Sequence, residues 1–203
     1  MAPTKSRIST LGERERELWH YFKYIAGVDE AGRGALAGPV YAGAVILSPF
    51  SSIPVLDSKL LTPKEREEIF KLIQKEAISW SYGYATVEEI EKIGILNATF
   101  LAMKRAIKGL TIKPEYVLVD GKVPIPELDI PQETIVKGDR KCLNIASASI
   151  VAKVLRDRYM KELDKSYPEY GFGKHKGYAT KEHREKIKHI GVSDIHRRNF
   201  KLL

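Results

Sequence analysis

An apolar run that ends in two adjacent carboxylates constrains this chain more than any other feature. Within Tyr24 to Leu47, YIAGVDEAGRGALAGPVYAGAVIL, the residues Ile25, Ala26, Gly27 and Val28 read as a buried strand that delivers Asp29 and Glu30 at its end. Gly32, Arg33, Gly34, Gly38 and Pro39 then read as a loop leading into a second strand, Val40 to Leu47. Two neighbouring buried negative charges cost several kcal/mol unless something positive faces them. A divalent cation answers that need. Hard oxygen ligands on a short segment suit Mg²⁺ or Mn²⁺, and the glycines let another backbone come close.

The rest of the chain supplies a frame for such a site. Thr10 to Glu13 read as a capping box that opens a helix running through Trp19 and Phe22, and Thr62, Pro63, Lys64, Glu65 open a second helix ending near Glu76. The alternation of Trp80, Tyr82 and Tyr84 with Ser81 and Gly83 predicts a half-exposed strand over Ile78 to Ala85. Thr86 with Glu89 starts another helix, and a further one runs from Asn97 to about Gly109 with Phe100, Leu101, Met103 and Ala106 inward. Tyr116 to Val119 is a short strand stopping at Asp120, and Thr134 to Val136 is the last strand. Asn144 to about Leu163 is a long helix whose Ala146, Ser147, Ala148 and Ser149 permit close packing. Strands precede helices throughout the second half, which favours an α/β sheet with some parallel strands. From Ser166 onward aromatic, glycine and basic residues interleave, and a helical C-terminal appendage is expected there.

Composition narrows the partners. A chain of 203 residues accommodates one well-cored domain with a small addition. Its 34 Lys and Arg against 26 Asp and Glu give a formal charge of +8, which favours a polyanion. A single cysteine, Cys142, excludes an intramolecular disulfide and any CxxC metal site, and suits a reducing cytoplasm. Aliphatic runs such as Ala42 to Leu47 are far shorter than the ~20 residues of a membrane span. The charged N-terminus also lacks the apolar core of a signal peptide. A cytoplasmic protein with no membrane partner is expected.

Asp120 in VLVDG and Asp139 in VKGD also follow strands, so a compact sheet can bring four carboxylates to one rim. Phosphodiester cleavage with two ions needs acids that hold the metals ~3.5 to 4 Å apart. The competing reading makes Asp120 and Asp139 turn residues beside Gly121 and Gly138. Gly32, Arg33 and Gly34 alone suit an ordinary turn, and Tyr178 in YGFGKHKGYATKEH suits a core or surface aromatic. Lys174, His175, Lys176, Lys181, His183 and Arg184 surround Tyr178 and would contact phosphates, although any one of them alone suits a solvated charge. Lys59 in LDSKLL is a plausible phosphate ligand, and Ser147 and Ser149 could bond phosphate or the facing backbone. Lys153 could equally pair with a carboxylate, while Asp157 reads as structural. The histidines lack zinc-binding spacing, and no Ser, His, Asp order stands out for nucleophilic catalysis.

The segment DEAGRGALAGPV resembles the signature of type 2 ribonucleases H. It departs at Ala35, where that family usually carries proline, a change that should loosen the loop slightly. GYAT at Gly177 to Thr180, LDSKLL and NIASASIVAK match further stretches in the same order, so the resemblance spans Ile25 to Phe200. It implies a ribonuclease H-like α/β fold, a mixed sheet flanked by helices with a small helical C-terminal region closing over the substrate groove. The parts would be an N-terminal extension and helix over 1–22, a catalytic domain over 23–165 and a substrate-binding region over 166–203. It implies that Asp29, Glu30, Asp120 and Asp139 are catalytic and hold Mn²⁺ or Mg²⁺. Gly32, Arg33 and Gly34 would meet the ribonucleotide 2′-hydroxyl, Tyr178 would pack on the deoxyribose beyond it, and Lys59, Ser147, Ser149, Lys174 and Lys176 would complete the substrate contacts. The implied activity is endonucleolytic hydrolysis of the RNA strand of RNA·DNA hybrids and cleavage 5′ of ribonucleotides embedded in duplex DNA, by a monomer, leaving a 5′-phosphate. Another metal nuclease of the same superfold and a non-catalytic hybrid-binding protein are the alternatives; the first would lack the pairing of GRG with GYxT, and the second would not need four acids.

Overall fold

The computed structural model describes residues 11–55 and 61–203. Its elements are α1 (Glu13–Leu18), β1 (Ile25–Ala31), β2 (Val40–Ile46), α2 (Pro63–Glu76), β3 (Ser79–Ala85), α3 (Val87–Lys108), β4 (Tyr116–Asp120), β5 (Gln132–Ile135), a 3₁₀ turn (Gly138–Arg140), α4 (Leu143–Ser166), α5 (Phe172–His175) and α6 (Lys181–Ile190). Helices α2 and α3 begin where the Thr-x-x-Glu spacing predicts. Thr62 Oγ1 accepts from the Glu65 amide at 3.3 Å while Glu65 Oε2 accepts from the Thr62 amide at 2.6 Å. Thr86 and Glu89 repeat the pair at 3.2 and 2.9 Å. Gly94, at φ 79° and ψ 156°, breaks α3 into the two stretches expected from Thr86 and from Asn97.

The first helix differs from its reading. Thr10 lies outside the described residues, and α1 starts behind Gly12, whose left-handed backbone carries no side-chain cap. A tertiary bond fixes that entry instead, from the Gly12 amide to the Lys141 carbonyl at 2.7 Å. The helix stops at Leu18, short of Phe22, and the following turns let Phe22 lie against Tyr116 with ring centroids 4.7 Å apart.

The five strands form one mixed sheet in the order β3-β2-β1-β4-β5. β1 pairs antiparallel with β2 and β2 with β3, whereas β1–β4 and β4–β5 are parallel. The parallel register Val28–Val119 matters most, because it brings the C-terminal ends of β1 and β4, and hence Asp29 and Asp120, to the same rim. Helix α4 lies directly on β1 and β2. A Cβ on Gly27 would sit 2.1 Å from the Asn144 carbonyl carbon, and one on Gly43 would sit 2.3 Å from the Ala148 oxygen, so both positions exclude any side chain.

That helix is anchored at its N-terminus by residues with no local signal of such a role. Asn144 accepts from the Leu47 amide at 3.0 Å and donates to the Ile25 carbonyl at 3.1 Å, bridging the start of β1 and the end of β2. Buried Glu15 of α1 accepts from the Asn144 amide at 3.0 Å and supplies the cap that Cys142 does not. Burial pushes the carboxyl of Glu15 up, and burial followed by the charge of Glu15 pushes the Cys142 thiol up, away from nucleophilic use. Val45, Phe70, Ile73, Ala148 and Val151 fill the layer between sheet, α2 and α4. Ala42, Ala44, Ala98, Ala102 and Met103 fill the layer under α3 on the other face.

Candidate active site

The pleat of β1 sends Asp29 toward α4, and the strand ends leave Glu30 and Asp120 beside it around a cleft of about 510 Å³. The Ser149 hydroxyl of α4 donates to the Asp29 carboxylate, and Asp29 Oδ1 also accepts from the Glu30 amide at 2.7 Å. Asp120 Oδ1 accepts from the Gly138 amide at 2.7 Å. Burial first, then the charges of Glu30 and Asp120, hold the Asp29 carboxyl well above the usual carboxylate range. Burial raises Glu30 too; Arg33, whose Nη1 lies 3.5 Å from Glu30 Oε1, opposes the shift, and Asp120 adds to it. The three acids therefore repel one another across one cleft. An all-oxygen donor set under mutual repulsion fits a hard divalent cation.

Asp139 stands differently. It is buried in the 3₁₀ turn, adjacent to the Gly138 amide that holds Asp120, and it is not among the residues that line the cleft. Among the described residues, no three His, Cys, Asp or Glu side chains are gathered as a finished ligand set.

The loop after β1 is held from below by two buried arginines. Arg156 of α4 donates from Nε to the Pro39 carbonyl at 3.0 Å, from Nη2 to Ala37 at 3.2 Å and from Nη1 to Lys176 at 3.0 Å. Arg197 donates from Nε to Gly38 at 2.9 Å and from Nη1 to Arg33 at 3.0 Å. Burial lowers the pKa of both, that of Arg197 to about 9, with the charge of Arg156 the next cause for Arg197. The loop also joins the C-terminal region through the Leu36 amide and the Gly177 carbonyl at 2.8 Å. At the cleft, the half-buried Tyr178 ring lies 5.2 Å from the Arg156 guanidinium and 5.7 Å from Lys153 Nζ.

A sequence profile of ribonuclease HII matches residues 26–203. The chain belongs to the ribonuclease HII family. It is 50% identical over 196 residues to the ribonuclease HII of Desulfitobacterium hafniense strain Y51, covering 96% of this chain and 75% of that protein. It is 53% identical over 187 residues to the ribonuclease HII of Caldicellulosiruptor saccharolyticus, covering 92% and 91%. The crystal structure of the ribonuclease H2 from Pyrococcus horikoshii OT3 superposes with a TM-score of 0.73 at 29% identity, over 88% of this chain and 94% of that one. The sheet and its flanking helices are thus the ribonuclease H fold, and membership in the ribonuclease HII family makes the chain a metal-dependent endonuclease of the ribonuclease H type.

Several residues expected to meet substrate sit elsewhere. Ser147 is wholly buried with its hydroxyl unpartnered, packed where α4 meets the sheet, so a phosphate contact there is corrected. His175 and His183 are also buried and bonded to backbone, which removes them from the phosphate-contacting set. Lys174 is exposed and paired with Glu182 at 2.6 Å, Lys176 turns back to the Gly173 carbonyl, and neither lines the cleft. Lys59 lies outside the described residues. The cleft gains Arg66 from α2, which only the tertiary fold reveals, and Lys153, which pairs with Asp157 at 2.6 Å. Asp157 lies between these two cations, with Arg66 3.9 Å away on its other oxygen.

Ala35, where the family usually carries proline, is buried, and its amide donates to the Gly32 carbonyl at 3.3 Å, a bond proline could not make. The two glycines of GRG are under different constraints. Gly32 adopts φ +89°, and a Cβ there would lie 1.9 Å from Arg156 Nε, whereas a Cβ on Gly34 meets nothing within 4 Å. Gly32→Ala is expected to lose about 2 kcal/mol of stability through the left-handed backbone and the displaced arginine. Gly34→Ala should change it by no more than about 0.5 kcal/mol. Urea melts of the two variants check this, and equal losses would show that neither the left-handed backbone nor Arg156 resists a methyl at Gly32.

Proposed function

We propose that this endonuclease hydrolyses the RNA strand of RNA·DNA hybrids and cuts 5′ of ribonucleotides embedded in duplex DNA, leaving a 5′-phosphate, as a monomer in the cytoplasm and in the service of ribonucleotide removal. The observation that carries this reading is the sharing of one cleft by Asp29, Glu30 and Asp120, the GRG loop and Tyr178. Asp29, Glu30 and Asp120 would hold Mn²⁺ or Mg²⁺, with Asp139 beside Asp120. Two such ions, when bound, supply an activated water and stabilise the leaving 3′ oxygen.

The remaining roles belong to the chain itself. Ser149 orients Asp29, and Arg33, Arg66 and Lys153 give the cleft the positive charge that seats a phosphate backbone. The open space at Gly34 supports backbone approach to a 2′-hydroxyl, since nothing within the protein itself occupies it. The Tyr178 ring, across the cleft, offers an apolar face that suits a sugar without that hydroxyl. No helix among the described residues is long and apolar enough to cross a membrane.

The test is cleavage of a duplex carrying one ribonucleotide, with Mn²⁺ or Mg²⁺ and with chelator. Cutting on the 5′ side of the ribonucleotide with a 5′-phosphate product, abolished by chelator, is expected. Binding without cleavage would favour the hybrid-binding alternative, and equal cutting of all-DNA duplex would point to a different nuclease.

A further inference from the structure

We propose that the buried histidines His175, His183 and His196 form a proton-ordered chain that fixes the backbone of Gly177 and Tyr178 and thereby positions the Tyr178 ring in the cleft. The proposal rests on the reading of Tyr178 as a sugar-facing side chain.

The three rings come from different segments, His175 from α5, His183 from the first turn of α6 and His196 from the stretch after α6. They are 8%, 0% and 0% exposed. The rings of His175 and His183 stack at 4.3 Å, and Phe172 meets both edge-on. Their partners dictate where each proton resides. The Gly177 amide can only donate, so His175 Nδ1 accepts at 3.2 Å and Nε2 carries the proton, given to the Tyr170 carbonyl at 2.9 Å. The Tyr178 carbonyl can only accept, so the proton of His183 sits on Nδ1, at 2.9 Å, and its Nε2 is an acceptor. The Ser193 amide donates to His196 Nδ1 at 3.0 Å, which puts the His196 proton on Nε2, 3.1 Å from that acceptor. One tautomer per ring satisfies every group, and any other sets donor against donor or strands a buried acceptor.

The surroundings keep His183 and His196 neutral. Burial, then the His175 and Arg184 charges, lower the pKa of His183, and burial followed by His183 takes His196 to about 4 despite the nearby Asp194. Glu182 is the acidic group near His175, and it is engaged by Lys174. A proton added between His183 and His196 would set two N–H groups against each other. The chain also reaches both sugar-facing elements. It ends on the Tyr178 carbonyl, and the His196 backbone bridges to Ala37 in the loop that follows GRG.

Ring-nitrogen spectra of ¹⁵N-labelled wild-type protein test the proton order directly. In the neutral rings the proton of His183 is expected on Nδ1 and those of His175 and His196 on Nε2, with His196 still neutral down to about pH 5. Tautomer averaging in any of the three rings, or titration of His183 or His196 near the usual histidine value, overturns the proposal whatever Tyr178 does. Cleavage tests the positioning. Folded His183→Leu should lose about 10-fold on a duplex with one ribonucleotide and much less on a continuous hybrid, and His183→Asn, which keeps a donor near Nδ1, should recover to within about threefold of wild type. If Tyr178→Ala leaves the substrate preference unaltered, the reading of Tyr178 fails and the functional half of the proposal with it. If Tyr178→Ala changes the preference and folded His183→Leu does not, the histidine chain alone is refuted. Should His183→Leu not fold, the ring spectra still decide.

Discussion

Asp29→Asn should reduce cleavage by roughly 1000-fold or more while making the metal-free protein more stable. Asparagine keeps the shape, its oxygen can still accept from the Glu30 amide and its side-chain amide can still bond the Ser149 hydroxyl, so the change removes charge and little else. The stability sign follows from the raised carboxyl. A group whose folded pKa lies above its unfolded value binds more protons when folded. Its favourable contribution is complete below the unfolded value near 3.8 and is lost as pH rises through the folded value. At neutral pH the ionised Asp29 is therefore a burden on the fold, and its removal is expected to raise stability in chelator, with the gain vanishing below the unfolded value near 3.8. Mn²⁺ or Mg²⁺ should reverse the order, because a ligand present at 100 times its Kd adds about 2.7 kcal/mol to the state that binds it. Thermal melts with chelator and with Mn²⁺, run beside the cleavage assay, separate these effects. A variant that cleaves at the wild-type rate, or that gains as much as wild type from the metal, removes Asp29 from the ligand set.

What was legible in the sequence was local. The apolar run into Asp29 and Glu30 and the two Thr-x-x-Glu caps depend on residues a few positions apart, and each lies where it was read. The parallel order of β1 and β4 was only implied by strands preceding helices, yet it is what joins Asp120 to the pair. What stayed hidden depends on partners far along the chain. Asn144 and Glu15 look ordinary until α4, β1 and β2 converge on them across separations of 97 to 129 residues. Arg197 has no local signal, because its donors go to Arg33 and Gly38, about 160 residues away in the chain. His175 and His183 were misread for the same reason. Set among lysines and glycines they resemble phosphate contacts, and only His196 and the carbonyls of Tyr170 and Tyr178 show them to be interior groups. The strand β3 was read as half-exposed without a direction. Its Tyr82 and Tyr84 stack outward on Tyr41, while Gly83 lets α3 approach on the other side.

Tyr178→Ala should slow cleavage of a duplex with a single ribonucleotide by about 100-fold, because a misplacement of the scissile phosphate by about 1 Å costs that much. The competing account is that the ring is only packing. The magnitudes separate the two. The ring is half-buried, with Arg156 at 5.2 Å and Lys153 at 5.7 Å, contacts worth about 1 kcal/mol in stability. Arg156 would keep its three carbonyl partners after the ring is removed, so the loop stays held and the melting temperature should fall only slightly. A role confined to packing would thus cost about 1 kcal/mol of stability and lower the rate on every substrate alike, whereas a sugar-facing role costs close to 3 kcal/mol in the transition state on the junction substrate alone. Tyr178→Phe, which keeps the face of the ring, should retain most of the activity. The measurement is the ratio of rates on single-ribonucleotide duplex and continuous hybrid, at a temperature where circular dichroism shows the variant folded. A folded Tyr178→Ala protein with that ratio unchanged would remove the ring from substrate reading and leave selectivity to the GRG backbone.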